Sequence, residues 1–229
     1  MDVFGASWLH HAEKIEKGWL SLISAEDLVL VPGDISWAMR LEEAMPDLEW
    51  LDALPGTKLL VKGNHDYWWP SSAKMKAALP PSIQFLHNSV YDWHDVSIGG
   101  TRLWDSIEYS FERFIEFQPN PRAKPPVSKD TDQEEKIFCR ELDRLELSLK
   151  QLNPKAKLRM AITHYPPIGA DLLPSRASAI LEHYGVQICV FGHLHNLKKE
   201  VLPLFGSARD VRYILASCDA IDFTPIRIR

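Results

Sequence analysis

The chain has 229 residues, 45% hydrophobic and 25% charged, with a formal net charge of -5 at pH 7. That length suits one domain with a full hydrophobic core over residues 1–229, and the composition excludes a disordered or fibrous chain. The acidic balance excludes a broad, salt-dependent grip on nucleic acid, which needs clustered Lys and Arg. Three cysteines, Cys139, Cys189 and Cys218, are odd in number and widely spaced, and they read as reduced core residues of a cytoplasmic protein. No apolar run approaches membrane length, and the opening MDVFGASWLHHAEK has neither a basic leader nor a hydrophobic one.

In chain order, Trp8, Ile15, Trp19, Leu22 and Ile23 recur at helical spacing and predict an amphipathic helix. DLVLVPGD has the length of a buried strand, and Ser36 after it is placed to cap the next helix. TKLLVKGNHD repeats the strand-then-polar-turn pattern, with Pro70 near a further helix start. SIQFLHN, SVYDWHDVSI and GTRLWD predict shorter strands with turns at Asn88 and Gly99-Gly100, an antiparallel middle portion. QPNPRAKPPVSKD, four prolines in thirteen residues, predicts a long surface loop.

Thr131 and Glu134 have capping-box spacing, and Phe138, Leu142, Leu145, Leu149 and Leu152 then form the apolar stripe of a long helix. KLRMAITHYPP, VQICVFGHLH and VRYILASCD are buried-strand runs, and PSRASAILEHYG predicts a crossover helix ending at Gly185. Strand and helix alternate through most of the chain, so the expected architecture is an α/β (α+β) layered fold with a mixed sheet.

In open α/β sheets, polar groups at the C-terminal ends of neighbouring strands converge in one crevice. Four predicted strand ends carry candidate ligands here: Asp34 after LVLVPG, Asn64 and His65 after LLVKG, His164 after MAIT, and His193 and His195 after ICVFG. Glycine directly precedes three of them, at Gly33, Gly63 and Gly192, and permits a sharp turn and close backbone approach. Imidazoles, a carboxylate and an amide oxygen form a mixed N/O donor set that suits Zn, Mn, Fe or Ni. Taken singly, each has a structural reading: Asp34 as a helix cap, GNHD as a turn, a lone His as core. Four independent strand ends ending alike favour the metal. Trp37, Tyr67, Trp68 and Trp69 flank the motifs, either as rim and core packing or as a stacking platform for a base or ring.

The ordered set GD, GNHD, the single His of THYPP and GHLH resembles the calcineurin-like metallophosphoesterase superfamily. LVLVPGDISWAMRLEEA and LLVKGNHDYWW resemble its bacterial phosphohydrolase branch, and the resemblance runs from about Asp27 to Asn196. It implies a β-sandwich flanked by helices, two divalent ions (Mn, Fe, Zn or Ni), and hydrolysis of a small phosphate mono- or diester by a metal-bridging hydroxide. Asp34 would bridge the two ions, Asn64, His164 and His193 complete one site, and His195 contribute to the other. His65 would lie beside the phosphoryl group and protonate the departing alkoxide. Asp66 would brace the turn rather than orient His65.

Two departures accompany the resemblance. The superfamily opens with a strand ending in Asp-x-His, and no such pair precedes Asp34; His10 and His11 lie on a predicted helix. An earlier start that supplies this strand, leaving the chain N-terminally truncated relative to the family, is the favoured reading, and a genuine short form the other. As given, the chain would lack a central strand and leave backbone groups unpaired. The continuation GDISWAMR also lacks the Asp-Arg-Gly of protein Ser/Thr phosphatases and disfavours that activity. A non-catalytic interaction module of the same fold is the alternative, and a zinc amide hydrolase ranks behind both.

Overall fold

The computed structural model describes residues 5–116, 131–198 and 205–229. A 3-10 turn at Ala6–Trp8 precedes α1 (His11–Leu22), then come β1 (Leu28–Val31), α2 (Leu41–Ala53), β2 (Thr57–Leu60), α3 (Ser72–Ala78) and β3 (Ile83–Phe85). These three strands form a parallel sheet in the order β1-β2-β3. The remainder supplies β4 (Tyr91–Trp93), β5 (Val96–Thr101), α4 (Thr131–Leu149), β6 (Leu158–Thr163), α5 (Arg176–His183), β7 (Ile188–Phe191), β8 (Ser207–Ala208) and β9 (Val211–Leu215). Their sheet runs β4-β5-β6-β7-β9-β8, parallel from β5 to β9 and closed at either edge by an antiparallel strand.

Strand alternation explains the layering. Met160 and Ile162 of β6, Val190 of β7 and Leu59 of β2 point to one face and pack together as the core between the two sheets. Ala161, Cys189 and Phe191 point to the other face, against the Phe138, Leu142, Leu145 and Leu149 stripe of α4. Leu60 of β2 turns outward to Trp19, Leu48, Leu51 and Met75 of the first three helices. The result is helix, sheet, sheet, helix: two facing sheets, the sandwich implied by the resemblance, in place of a single mixed sheet. Each fully buried large apolar side chain contributes roughly 1.5–3 kcal/mol.

Several expectations change. SIQFLHN becomes β3, which pairs parallel to β2 (Lys58↔Ile83, Leu60↔Phe85), so only β4–β5 keeps the antiparallel reading. SVYDWHDVSI folds as two strands with the turn at His94-Asp95. Gly99-Gly100 is no turn but the middle of β5, and GTRLWD is no separate strand. The physical reason is closeness: a Cβ on Gly100 would lie 1.9 Å from the Ile162 carbonyl oxygen, and one on Gly99 2.8 Å from Leu149 Cδ2. Ser36 does not cap α2, which starts at Leu41 without a side-chain cap. Cys139 is exposed on α4 while Cys189 is buried, so the core reading of the cysteines fails at Cys139; all three are free thiols. Gly185 does end α5, at φ 63. The proline-rich loop and residues 1–4 fall outside the described residues, as does the flank that would complete the Thr131 cap.

Within the described residues β1 has one partner, β2, and so is an edge strand. A cleft of about 1540 Å³ runs along it, bounded by α1 and the segment 223–229, and reaches His65, His164, His193 and His195 at one end. Among the described residues no helix is long and apolar enough to cross a membrane.

Gly100→Ala should lower the unfolding free energy by about 3 kcal/mol, the upper end of overpacking costs. Urea denaturation checks this, and an unchanged midpoint would show that β5 and β6 are not so close.

Candidate metal centre

β1 and β2 belong to one sheet, β6 and β7 to the other, and all four point their C-terminal ends to the same side of the sandwich. Two contacts lock the sheets together there. The imidazole Nδ1 of His164, after β6, donates to the Pro32 carbonyl after β1 at 2.7 Å. Its Nε2 stands 2.6 Å from Asn64 Oδ1, after β2.

Asp66 organises the same end. Its Oδ2 accepts from the Gly63 amide (2.7 Å) and the Asp34 amide (2.8 Å). Its Oδ1 accepts from the amides of Ile35 (2.9 Å) and Ser36 (3.2 Å) and from Trp68 Nε1 (3.0 Å). The carboxylate therefore ties the turn after β1 to the turn after β2. The Asp34 side chain crosses in the opposite sense, its Oδ1 accepting from the His65 amide at 2.8 Å. Only glycine fits at position 63, because a Cβ there would lie 2.0 Å from Asp34 Oδ1. Asp34 (φ 57) and His193 (φ 68) are both held left-handed, a strain that persists where surrounding structure imposes it and that clusters at functional sites.

The candidate ligand atoms of Asp34, Asn64, His164 and His193 meet as a cluster. His193 Nδ1 is 2.9 Å from Asn64 Oδ1 and 3.2 Å from His164 Nε2, which is 3.6 Å from Asp34 Oδ2. A carbonyl oxygen accepts only, so the Pro32 contact puts the His164 proton on Nδ1 and leaves Nε2 as the lone-pair nitrogen. Burial pushes the His164 imidazole down to about 3, with nearby His195 and His65 acting in the same direction. Burial likewise lowers His193 to about 4, helped by His164 and opposed by Asp105 and Asp34. His164 Nε2, the Asn64 oxygen and the Asp34 carboxylate thus turn lone pairs toward one point, with His193 Nδ1 within hydrogen-bond distance of the first two. Ligand atoms around a divalent ion bonded at about 2.1 Å stand about 3.0–3.4 Å apart, close to the separations here. Among the described residues no three or more His, Cys, Asp and Glu side chains form a ready metal cage. The cluster depends on an asparagine, and its donor set fits a divalent cation.

His195 and His65 are placed differently. His195 Nδ1 pairs with Asp219 Oδ1 at 2.7 Å, and Asp219 Oδ2 accepts from the Asn196 amide at 2.7 Å. Burial opposes ionisation of Asp219, but the His195 hydrogen bond and charge outweigh it and hold the carboxyl below its ordinary value. A carboxylate on Nδ1 makes Nε2 the basic nitrogen, an arrangement typical of imidazole ligands. Asp219 was missed in the sequence although it follows β9 in VRYILASCD, a fifth strand end with the same signature. Asp105, whose Oδ1 is 4.0 Å from His193 Nε2, was missed as well and follows no motif.

His65 lies flat against Trp37, ring centroids 4.6 Å apart at 26°, with Tyr67 edge-on at 6.1 Å. Trp37 and Tyr67 are exposed at the site, whereas Trp68 and Trp69 are buried, so the four aromatics divide between rim and core. Asp66 takes the bracing role and is itself raised to about 6 by burial and by Asp34, against the donors it accepts.

A family profile for Calcineurin-like phosphoesterase matches residues 8–197. The chain belongs to the calcineurin-like phosphoesterase family, whose members are in general metal-dependent hydrolases of phosphoesters. No curated protein matches the sequence. Among solved structures, the protein of unknown function AQ665 from Aquifex aeolicus is similar at 17% identity, over 97% of this chain and 82% of that one, with a TM-score of 0.43.

Asp66→Ala leaves four amides and an indole N–H without their acceptor. With about 1–3 kcal/mol for each buried unsatisfied donor, the expected loss of stability is about 3 kcal/mol or more, read from urea midpoints. The metal-free protein should also respond to acid. His164 and His193 bind fewer protons folded than unfolded between pH 6.5 and 4, so their contribution is full above 6.5 and lost as pH falls toward 4. Asp66, raised from 3.8, acts in the opposite direction and loses its contribution as pH rises through 6. EDTA-treated His164→Gln should therefore lose less stability than the unsubstituted chain on acidification from pH 6.5 to 4; equal losses would contradict the burial of His164.

Proposed function

We propose that the chain hydrolyses a small phosphate mono- or diester, holding two divalent cations with Asp34, Asn64, His164, His193 and His195. The observation that carries this reading is the meeting of oxygen and imidazole nitrogen atoms from four strand ends of two sheets at 2.6–3.6 Å. When bound, the cations would neutralise phosphoryl charge and activate a water for attack. Asp34 would sit between the two positions. Asn64, His164 and His193 would serve one cation and His195 the other, with Asp219 fixing the tautomer of the His195 ring.

His65 takes the part of the acid. Its backbone is pinned to Asp34 and its ring plane is held by Trp37, so the imidazole presents a fixed edge to the leaving oxygen. Trp37 positions His65 and also forms, with Tyr67, an exposed aromatic rim suited to an aryl or base-bearing ester. The acidic chain, with no broad cationic surface in its composition, fits a small substrate rather than a nucleic-acid duplex. Free thiols at Cys139, Cys189 and Cys218 fit a reducing, cytoplasmic setting. Manganese, iron, zinc and nickel all suit the donor set.

Elemental analysis and turnover of an aryl phosphate and a bis-aryl phosphodiester in Mn-supplemented buffer test the reading. His65→Ala should retain its metal content and lose turnover by about 100-fold or more, while His164→Ala should lose metal. Unchanged turnover in His65→Ala would remove this residue from the mechanism. Absence of both metal uptake and turnover in the unsubstituted chain would favour a non-catalytic module. Trp37→Ala should reduce turnover by about tenfold at unchanged metal content, by releasing the His65 ring.

A further inference from the structure

Beside the GNHD turn, residues at the C-terminal ends of β2, β3 and β5 enclose a second cavity of about 270 Å³ against α4. Lys62, Arg102 and Arg144 line it, together with one carboxylate, Glu141, and the ring of Trp69. Glu141 is 1% exposed, and its oxygens are already engaged. They accept from Thr101 Oγ1 at 3.1 Å, Arg102 Nη2 at 3.3 Å and Arg144 Nη1 at 2.6 Å.

One cation on the same wall lacks a partner. Lys62 is half-buried and makes no hydrogen bond or ion pair among the described residues; Glu141 and Asp66 act on it only through space. Three cations thus line the cavity against one carboxylate that already accepts three hydrogen bonds, and the Lys62 ammonium is left to donate. Such a wall repels metal ions and suits an acceptor-rich anion: a lysine serves as a point charge and arginines offer forked N–H pairs.

We propose that this cavity is a binding site for a small tetrahedral dianion of phosphate chemistry, free or carried as a pendant group on a larger substrate. The site adjoins the candidate metal centre through the backbone. Lys62 leads directly into Gly63 and Asn64, and the Arg102 carbonyl accepts from the amides of His164 (3.2 Å) and Tyr165 (2.9 Å). An anion bridging Lys62 and Arg102 would therefore join the turn that carries Asn64 to the one that carries His164.

Phosphorus NMR titration of inorganic phosphate into EDTA-treated protein keeps the metal centre out of the measurement. Saturable binding at one site is expected, weakened about tenfold or more in Lys62→Met and in Arg144→Met and kept within a few-fold in Lys62→Arg. Asn64→Ala should bind phosphate as the unsubstituted chain does. Absence of saturable binding, or binding lost in Asn64→Ala and retained in Lys62→Met, would overturn the proposal. Circular dichroism confirms folding; should Lys62→Met fail to fold, Arg144→Met and Lys62→Arg decide the matter. The two sources separate in the kinetics. A pendant group raises KM in Lys62→Met only for aryl esters bearing a second phosphate, while a free anion leaves both KM values alike and the titration positive. The titration needs neither metal nor turnover, so its failure leaves the hydrolase reading standing, and loss of that reading leaves the titration valid.

Discussion

One buried carboxylate holds the functional end of this protein together. Asp66 sits at the end of β2 and gathers amides from the turn after β1 and from its own turn, together with the Trp68 indole. Those amides belong to segments that leave their strands pointing into the same small space. Without a shared acceptor they would be left unpaired in a place that excludes water, a cost folded proteins rarely carry. The left-handed Asp34 backbone and the close pass of Gly63 both follow from that attachment, and the position of the Asp34 carboxylate follows from them.

The sandwich supplies the second half of the centre. Four strands in two separate sheets end on the same side, and the space between the sheets narrows where Pro32 meets Gly192 and the His164 ring. Packing brings the sheets to that distance: Met160, Ile162 and Val190 interlock with Leu59 and Val61 below the site. The burial that makes the core also strips water from His164 and His193, and so keeps the imidazoles neutral, the form in which imidazole binds a metal. Stability and ligand chemistry are thus consequences of the same dry interior.

The polar groups around this centre fall into two sets with different partners. Asp34, Asn64, His164 and His193 bring oxygen and imidazole nitrogen atoms together, whereas Lys62 and Arg102, after β2 and β5, and Arg144 of α4 line a separate cavity with donors. β2 and β5 feed both sets, since Lys62 precedes Asn64 and Arg102 supports the His164 turn by its carbonyl. On the two proposals above, these groups would hold a cation and an anion close together, the electrostatic arrangement that phosphate chemistry calls for.

The sequence by itself determined the alternation of strand and helix, the stripe of α4, the Gly185 helix end, and the strand ends where chemistry would collect. Those are properties of local periodicity and of short polar turns, legible because a strand or helix face must be apolar wherever it is buried. It did not determine that β3 runs parallel to β2, that Gly99 and Gly100 lie inside a strand, or that Cys139 faces outward. Each depends on which neighbour approaches: Leu149 and the Ile162 carbonyl in the case of the glycines. Only the tertiary structure decided that the candidate ligands come from two sheets, that Asp219 holds His195, and that Trp37 rather than Trp68 lies on His65. The pattern along the chain records what is buried, and the assembly of distant segments decides against what.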